Sequence, residues 1–202
     1  MSIEPGLADW LKLCLTPGLG SGAVRALLKR HGLPQKVLAA PRELLLETIP
    51  PATVDRLASH DLDAPIDATL EWASRPGNRI LTLADASYPR LLLEIADPPA
   101  LLFCRGRTEL LGRPSVAVVG SRNASAQGAR DAGQFARALS HAGLTVVSGL
   151  ALGIDAAAHR GALPSEASTI AILGTGVDVL YPKSNVGLGS EIAEKGLLLS
   201  EY

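Results

Sequence analysis

The chain has 202 residues, 47% of them hydrophobic and 19% charged, enough for one sizeable core or a core with a small satellite domain. Lysine and arginine number 19 against 20 acidic residues, a formal net charge of −1 that taken alone argues against nucleic acid. Met1–Trp10 contains Glu4 and Asp9 with no basic start or long apolar core, no apolar run nears the ~18 residues of a membrane span, and two cysteines are too few for a disulfide framework or metal cluster, so a cytoplasmic protein free of the membrane is expected.

The first ~75 residues read as a helical domain. Apolar-periodic segments at about 6–15, 22–31, 34–48, 52–59 and 64–74 are punctuated by Pro17-Gly18, Gly32, Pro41, Pro50-Pro51 and Pro65. Within it, CLTPGLGSGAVRALLKRHG (14–32) sets a Pro-Gly-Leu-Gly turn between two helices, with Ser21 placed to cap the second. Such a turn can offer backbone N–H groups to a DNA phosphate, or can be a plain helix connection. Cys14 and Cys104 sit in apolar stretches and read as core fillers.

From Arg79 the hydrophobic period changes. RILTLA (79–84) and ALLFCRG (100–106) read as strands at the edge of a sheet. The runs SVAVVG (115–120), LTVVSG (144–149), STIAILG (168–174) and LLLS (197–200) then alternate with helical stretches at the spacing that parallel βαβ units require. Ala129, Ala132, Ala136 and Leu139 form one apolar face of a helix over about 125–142. Near-continuous apolar strands predict that both sheet faces are covered, as in a doubly wound α/β fold, with ligands bound outside the carboxyl ends of the strands.

Charge is distributed unevenly over these regions. Residues 75–137 carry nine basic residues, all arginines, against five acidic, whereas residues 1–74 and 138–202 are acidic by two and three charges. The guanidinium fork suits bidentate phosphate contact, although a solvated arginine face would have the same composition. At the expected carboxyl edge stand Gly120-Ser121-Arg122, Ser148-Gly149, Gly174-Thr175-Gly176 and Ser200-Glu201. Small residues there leave amides accessible, and a strand feeding a helix N-terminus makes an anion pocket.

The pattern opposes two familiar cofactor sites. The first turn lacks G-x-G-x-x-G, the second strand ends in Ser148 where a dinucleotide site wants an acid, and no P-loop lysine motif occurs. In GLALGIDAAAHRGAL (149–163), Asp155 and His159 lie four apart on one helix face. They read as a structural pair at the helix start, in which His159 satisfies Asp155, in preference to an acid–base couple.

The motifs VAVVGSRNAS, VVSGLALGIDAAAHRGAL, STIAILGTGVDVLYPKSN and GLLLSEY, in this order and spacing, resemble the DNA-processing protein A family (DprA, also called Smf). YPRLLLEIADPPALLFCRG resembles the lead-in of that family. The resemblance implies a Rossmann-like, mostly parallel α/β domain over 76–202 preceded by a small all-helical SAM-like domain over 1–75. It implies binding of single-stranded DNA without base preference, protection of that DNA and help in loading RecA onto it during natural transformation. No reaction, cofactor or metal is implied. Gly120, Ser121 and Arg122 would belong to the DNA pocket, extended by Ser148, Gly149, Gly174, Gly176, Lys183 and Asn185, with Tyr181 either stacking on a base or shaping a turn. Family members form homodimers and continue past this point, so the 202-residue chain is expected to be incomplete and to expose apolar surface. The alternative is a nucleotide-acting phosphoribohydrolase of the LOG or lysine-decarboxylase-like group. The Pro-Gly-Gly-x-Gly-Thr-x-x-Glu signature of that group is missing, and LGTGVDVLYP stands in its place.

Overall fold

The computed structural model describes residues 6–202, so the reading of Met1–Trp10 falls partly outside the described residues. The described residues form two compact units, one of residues 6–76 with 82–85 and 90–101, the other of 77–81, 86–89 and 102–202.

The first unit is helical: α1 (Leu7–Leu15), α2 (Ser21–His31), α3 (Pro34–Leu38), α4 (Arg42–Leu46), α5 (Pro51–Ala58) and α6 (Asp63–Ser74). Its core holds Leu11, Leu13, Val24, Leu27, Val37, Val54 and Leu57. The segment expected as one helix over 34–48 is two short ones, because Pro41 lacks an N–H and disfavours helical geometry at the preceding residue. Ser21 does not cap α2. Gly20 is the N-cap, and the Ser21 hydroxyl donates to Asp97 Oδ2 (3.1 Å), the carboxylate that also pairs with Arg25. In the Pro17-Gly18 turn, Gly18 has φ +86°, and a Cβ there would stand 3.2 Å from Thr53 Oγ1. Arg56 donates to the Pro17 carbonyl (3.2 Å), so the turn packs on α5.

The second unit contains a six-stranded sheet in the order β1-β2-β6-β5-β4-β3. The strands are β1 (Asn78–Thr82), β2 (Leu101–Gly106), β3 (Ser115–Ala117), β4 (Thr145–Ser148), β5 (Thr169–Leu173) and β6 (Leu197–Ser200). β3 to β6 are parallel, and β2 runs antiparallel to β6. This is the Rossmann-like, mostly parallel α/β arrangement expected, with β1 and β2 at one side.

The crossovers are α7 (Ala126–His141), α8 (Ile154–Ala162) and α9 (Val186–Lys195). Because β3 to β6 succeed one another in a single direction, right-handed crossovers place all three helices on the same face. Ala136, Ala158 and Ala162 there pack on Val116, Val118 and Val146. The opposite face departs from the expectation. Ala117, Val147 and Ile170 stand in register with Ile172 two residues on, and Ala117, Val119 (72% exposed) and Ile172 (44%) face solvent. The cover is partial: Ile170, Leu197 and Leu199 on this same face are buried, so the expectation of two covered faces holds at β6 and fails toward β3. No helix among the described residues is long and apolar enough to cross a membrane.

Candidate nucleic-acid interface

The parallel register carries the ends of β3, β4, β5 and β6 to one edge of the sheet, and the residues leaving those ends form the rim. Neighbouring strands lie about 4.8 Å apart, so the β3, β4 and β5 turns fit within about 10 Å along the edge.

The β3–α7 loop supplies its most open part. Gly120, Ser121 and Arg122 are all exposed. Among the described residues, no group accepts from their three N–H groups, and the Arg122 guanidinium makes no ion pair. The loop is nonetheless fixed. Ser121 Oγ accepts from the Asn123 N–H (3.1 Å), Ser125 caps α7 through the Gly128 N–H (3.0 Å), and the Ser121 carbonyl accepts from the Ile154 N–H (3.2 Å). The helix end that abuts Gly-Ser-Arg is therefore that of α8, whereas the sequence suggested α7. Gly153, at φ +73°, makes this possible, since a Cβ there would lie 2.2 Å from the Ser121 carbonyl oxygen. Gly120 is fixed by packing too, its Cβ position being 2.7 Å from Ile154 Cγ1. Gly153 and Ile154 were not singled out by the sequence. The signal was the glycine directly before the Ile-Asp helix start.

The β4–α8 turn is held from both sides. The Gly149 N–H donates to Asp155 Oδ2 (3.1 Å) and the Leu150 N–H to His159 Nε2 (3.2 Å). Asn185 Nδ2 donates to the carbonyls of Leu150 (2.9 Å) and Ala151 (3.1 Å). The Ser148 hydroxyl donates to the Val118 carbonyl (2.7 Å). Ser148 and Asn185 are 3% exposed, so their side chains hold the rim together and do not reach a ligand. Gly149 remains exposed, but its amide is already used. Asp155 and His159, expected to satisfy each other, bind successive amides of this turn instead. Burial pushes the His159 imidazole down to about 4, against the opposing pull of Asp155. Both ring nitrogens are occupied, since Nδ1 lies 2.7 Å from Thr169 Oγ1.

The β5 turn resembles the first. The N–H groups of Gly174, Thr175 and Gly176 have no acceptor among the described residues. The turn closes through Thr175 Oγ1 to the Val179 carbonyl (2.6 Å) and the Val179 N–H to the Gly176 carbonyl (3.0 Å). A Cβ on Gly174 would meet nothing, whereas one on Gly176 would lie 2.5 Å from Asp178 Oδ1. Ser200 Oγ ties the end of β6 to the Thr175 carbonyl (2.7 Å). Lys183 is exposed and makes no ion pair among the described residues, and Tyr181, before a cis Pro182, is 70% exposed. Among the described residues no group of three or more His, Cys, Asp or Glu side chains could hold a metal.

These features define a Rossmann-like α/β protein whose carboxyl edge carries unsatisfied amides and unpaired cations on a rigid frame. Residues 79–202 match the model of the DNA recombination-mediator protein A family, and the chain belongs to that family. The DNA processing protein DprA of Streptococcus pneumoniae is 50% identical over 121 residues, covering 60% of this chain and 43% of that protein. Protein Smf of Synechocystis is 45% identical over 137 residues, 66% of this chain and 34% of its own. The aligned stretches thus amount to less than half the length of these curated relatives. The X-ray structure of the S. pneumoniae protein superposes with a TM-score of 0.78 at 34% identity, covering 100% of this chain and 69% of that one. A DprA structure from Helicobacter pylori, described for its unique single-stranded DNA binding mode, gives a TM-score of 0.55 at 38% identity over 61% of this chain and 55% of that one.

Proposed function

We propose that this chain binds single-stranded DNA through its phosphates, along the edge that begins at Gly120-Ser121-Arg122. The observation that carries the reading is that three successive exposed amides and an unpaired guanidinium occupy one rigid loop. Gly174 to Gly176 and Lys183 continue the same chemistry. Amides and cations grip a polyanion without reading bases, which gives sequence tolerance and strong salt dependence. The H. pylori structure, by its description, concerns a relative that binds single-stranded DNA, and this supports the same partner here.

By family membership, the whole protein would protect incoming DNA, help load RecA onto it in natural transformation, act as a homodimer and work in the cytoplasm. It would catalyse no reaction. In support, His159 is fully buried with both nitrogens occupied, so it cannot serve as a general base.

The test is fluorescence anisotropy with labelled oligo-dT across a salt series, set against a duplex of equal length. Tighter binding to the single strand, weakening steeply as salt rises, is expected. Equal affinity for the duplex, or binding indifferent to salt, would overturn the reading.

A further inference from the structure

Leu150 has φ +57°, a left-handed conformation that costs a β-carbon residue on the order of 1–3 kcal/mol and persists only where the surroundings enforce it. The enforcement is visible. Its side chain is fully buried and approaches the Cα of Gly189, where a Cβ would lie 3.3 Å from Leu150 Cδ2. Its N–H is taken by His159 and its carbonyl by Asn185.

The hydrogen bonds around His159 have a definite direction. A backbone N–H can only donate, so Nε2, which receives from Leu150, is the bare nitrogen of the ring. Nδ1 therefore carries the proton and donates to Thr169 Oγ1 (2.7 Å), whose own proton goes to the Val146 carbonyl (2.7 Å). The relay joins β4, β5, α8 and the rim turn, and reversing the imidazole tautomer would set N–H against N–H at Leu150.

The polar groups of the turn are thus drawn away from the ligand side. The amides of Gly149 and Leu150 go to Asp155 and His159, and the carbonyls of Leu150 and Ala151 go to the buried Asn185. Gly149 stays exposed at the edge with its amide already engaged, and the carbonyls of Leu150 and Ala151 are held by Asn185. The Asp155 carboxylate, at the first turn of α8, is 7% exposed, so its charge is spent on the helix end and the Gly149 amide.

We propose that His159, in its Nδ1–H tautomer, is a positioning residue for DNA binding: it holds Leu150 in the left-handed turn that keeps the middle of the rim clear for a phosphate chain. The inference rests on the reading of the rim as the single-stranded DNA site, and it assigns to the Asp-Ala-Ala-Ala-His run a task that touches no DNA.

The test compares wild type with His159→Ala and His159→Gln, all first checked for fold by circular dichroism. Gln retains an acceptor oxygen for Leu150. In the free chain, exchange of the Leu150 amide should quicken at least tenfold in His159→Ala and less than threefold in His159→Gln. Oligo-dT affinity should fall about five- to twentyfold in the Ala variant and recover to within about twofold in the Gln variant, with the salt slope unchanged in both. Long-range proton–nitrogen NMR should find the Nδ1–H tautomer in wild type. Unchanged exchange or unchanged affinity in folded His159→Ala, or an Nε2–H tautomer, would overturn the proposal. If His159→Ala does not fold, Thr169→Val, which removes the acceptor of Nδ1–H, carries the same two readouts and the same criteria. Failure of wild type to bind oligo-dT would instead sink the reading of the rim, and it is recognisable because the exchange and tautomer measurements need no DNA.

Discussion

A Cβ added to Gly161 on α8 would stand 2.1 Å from the carbonyl oxygen of Gly133 on α7, so the two helices touch backbone to backbone. That contact sets how deeply α8 sits against the sheet, and with it the position of the α8 N-terminus beneath the Gly-Ser-Arg loop. Gly161→Ala has no flexible neighbour to displace and is expected to destabilise the chain by about 1–3 kcal/mol or more. Gly133→Ala is the internal control: its Cβ would meet the Ala157 carbonyl at 3.4 Å, close to ordinary contact, and helix propensity favours Ala by about 1 kcal/mol. Urea denaturation of the two variants should separate them clearly, and equal stabilities would contradict the packing described.

Much of this architecture was legible in the sequence, for identifiable reasons. The helix expected at about 125–142 is α7, Ala126–His141, because its apolar face is a local signal. The strands were placed by their apolar runs, although β3 ends at Ala117, short of the expected residue 120. What the sequence could not give depends on where a side chain turns after the chain has folded. Ser148 and Asn185 sit at the rim in sequence yet face inward, and Asp155 and His159 share a helix face without bonding each other. Strand composition likewise could not reveal that successive strands step one way and leave Ala117, Val119 and Ile172 uncovered.

Arg122 and Lys183 are expected to act as separate phosphate contacts. Each replaced by Ala should weaken oligo-dT binding and lower the slope of log affinity against log salt by about 0.7, the increment for one single-strand phosphate. Asn185→Ala should weaken binding with the slope intact, because its amide holds the carbonyls of Leu150 and Ala151 and meets no phosphate. Salt titrations of the three variants decide the matter. An unchanged slope for Arg122→Ala removes that residue from the interface.

The uncovered part of that sheet face, at Val119 and Ile172, has a consequence for solution behaviour. Val119 and Ile172 lie on the face away from the helices, and apolar surface of this kind drives association. Val119→Lys combined with Ile172→Thr should reduce concentration-dependent light scattering of this chain and leave its melting temperature within a few degrees. Scattering as strong as in wild type would mean that association runs through another surface.

His159 makes the stability of the chain depend on pH in a definite direction. Its folded value is lowered to about 4 from the ordinary 6.5, because the fully buried ring resists charge and its Nε2 is committed to the Leu150 N–H. Asp155, the charged group that acts on it, pulls the other way without overcoming burial. Below 6.5 the unfolded chain takes up a proton that the folded chain refuses. The stability contributed by the neutral ring is therefore complete above that value and is lost as pH falls from about 6.5 to about 4. A shift of this size amounts to roughly 3 kcal/mol across the window. Urea midpoints measured at pH 7.5 and pH 4.5 should show wild type losing most of that amount beyond whatever the carboxylates contribute. His159→Gln, which has no proton to gain, should lose that much less over the same interval, and parallel losses in the two proteins would mean that His159 titrates freely in the folded chain.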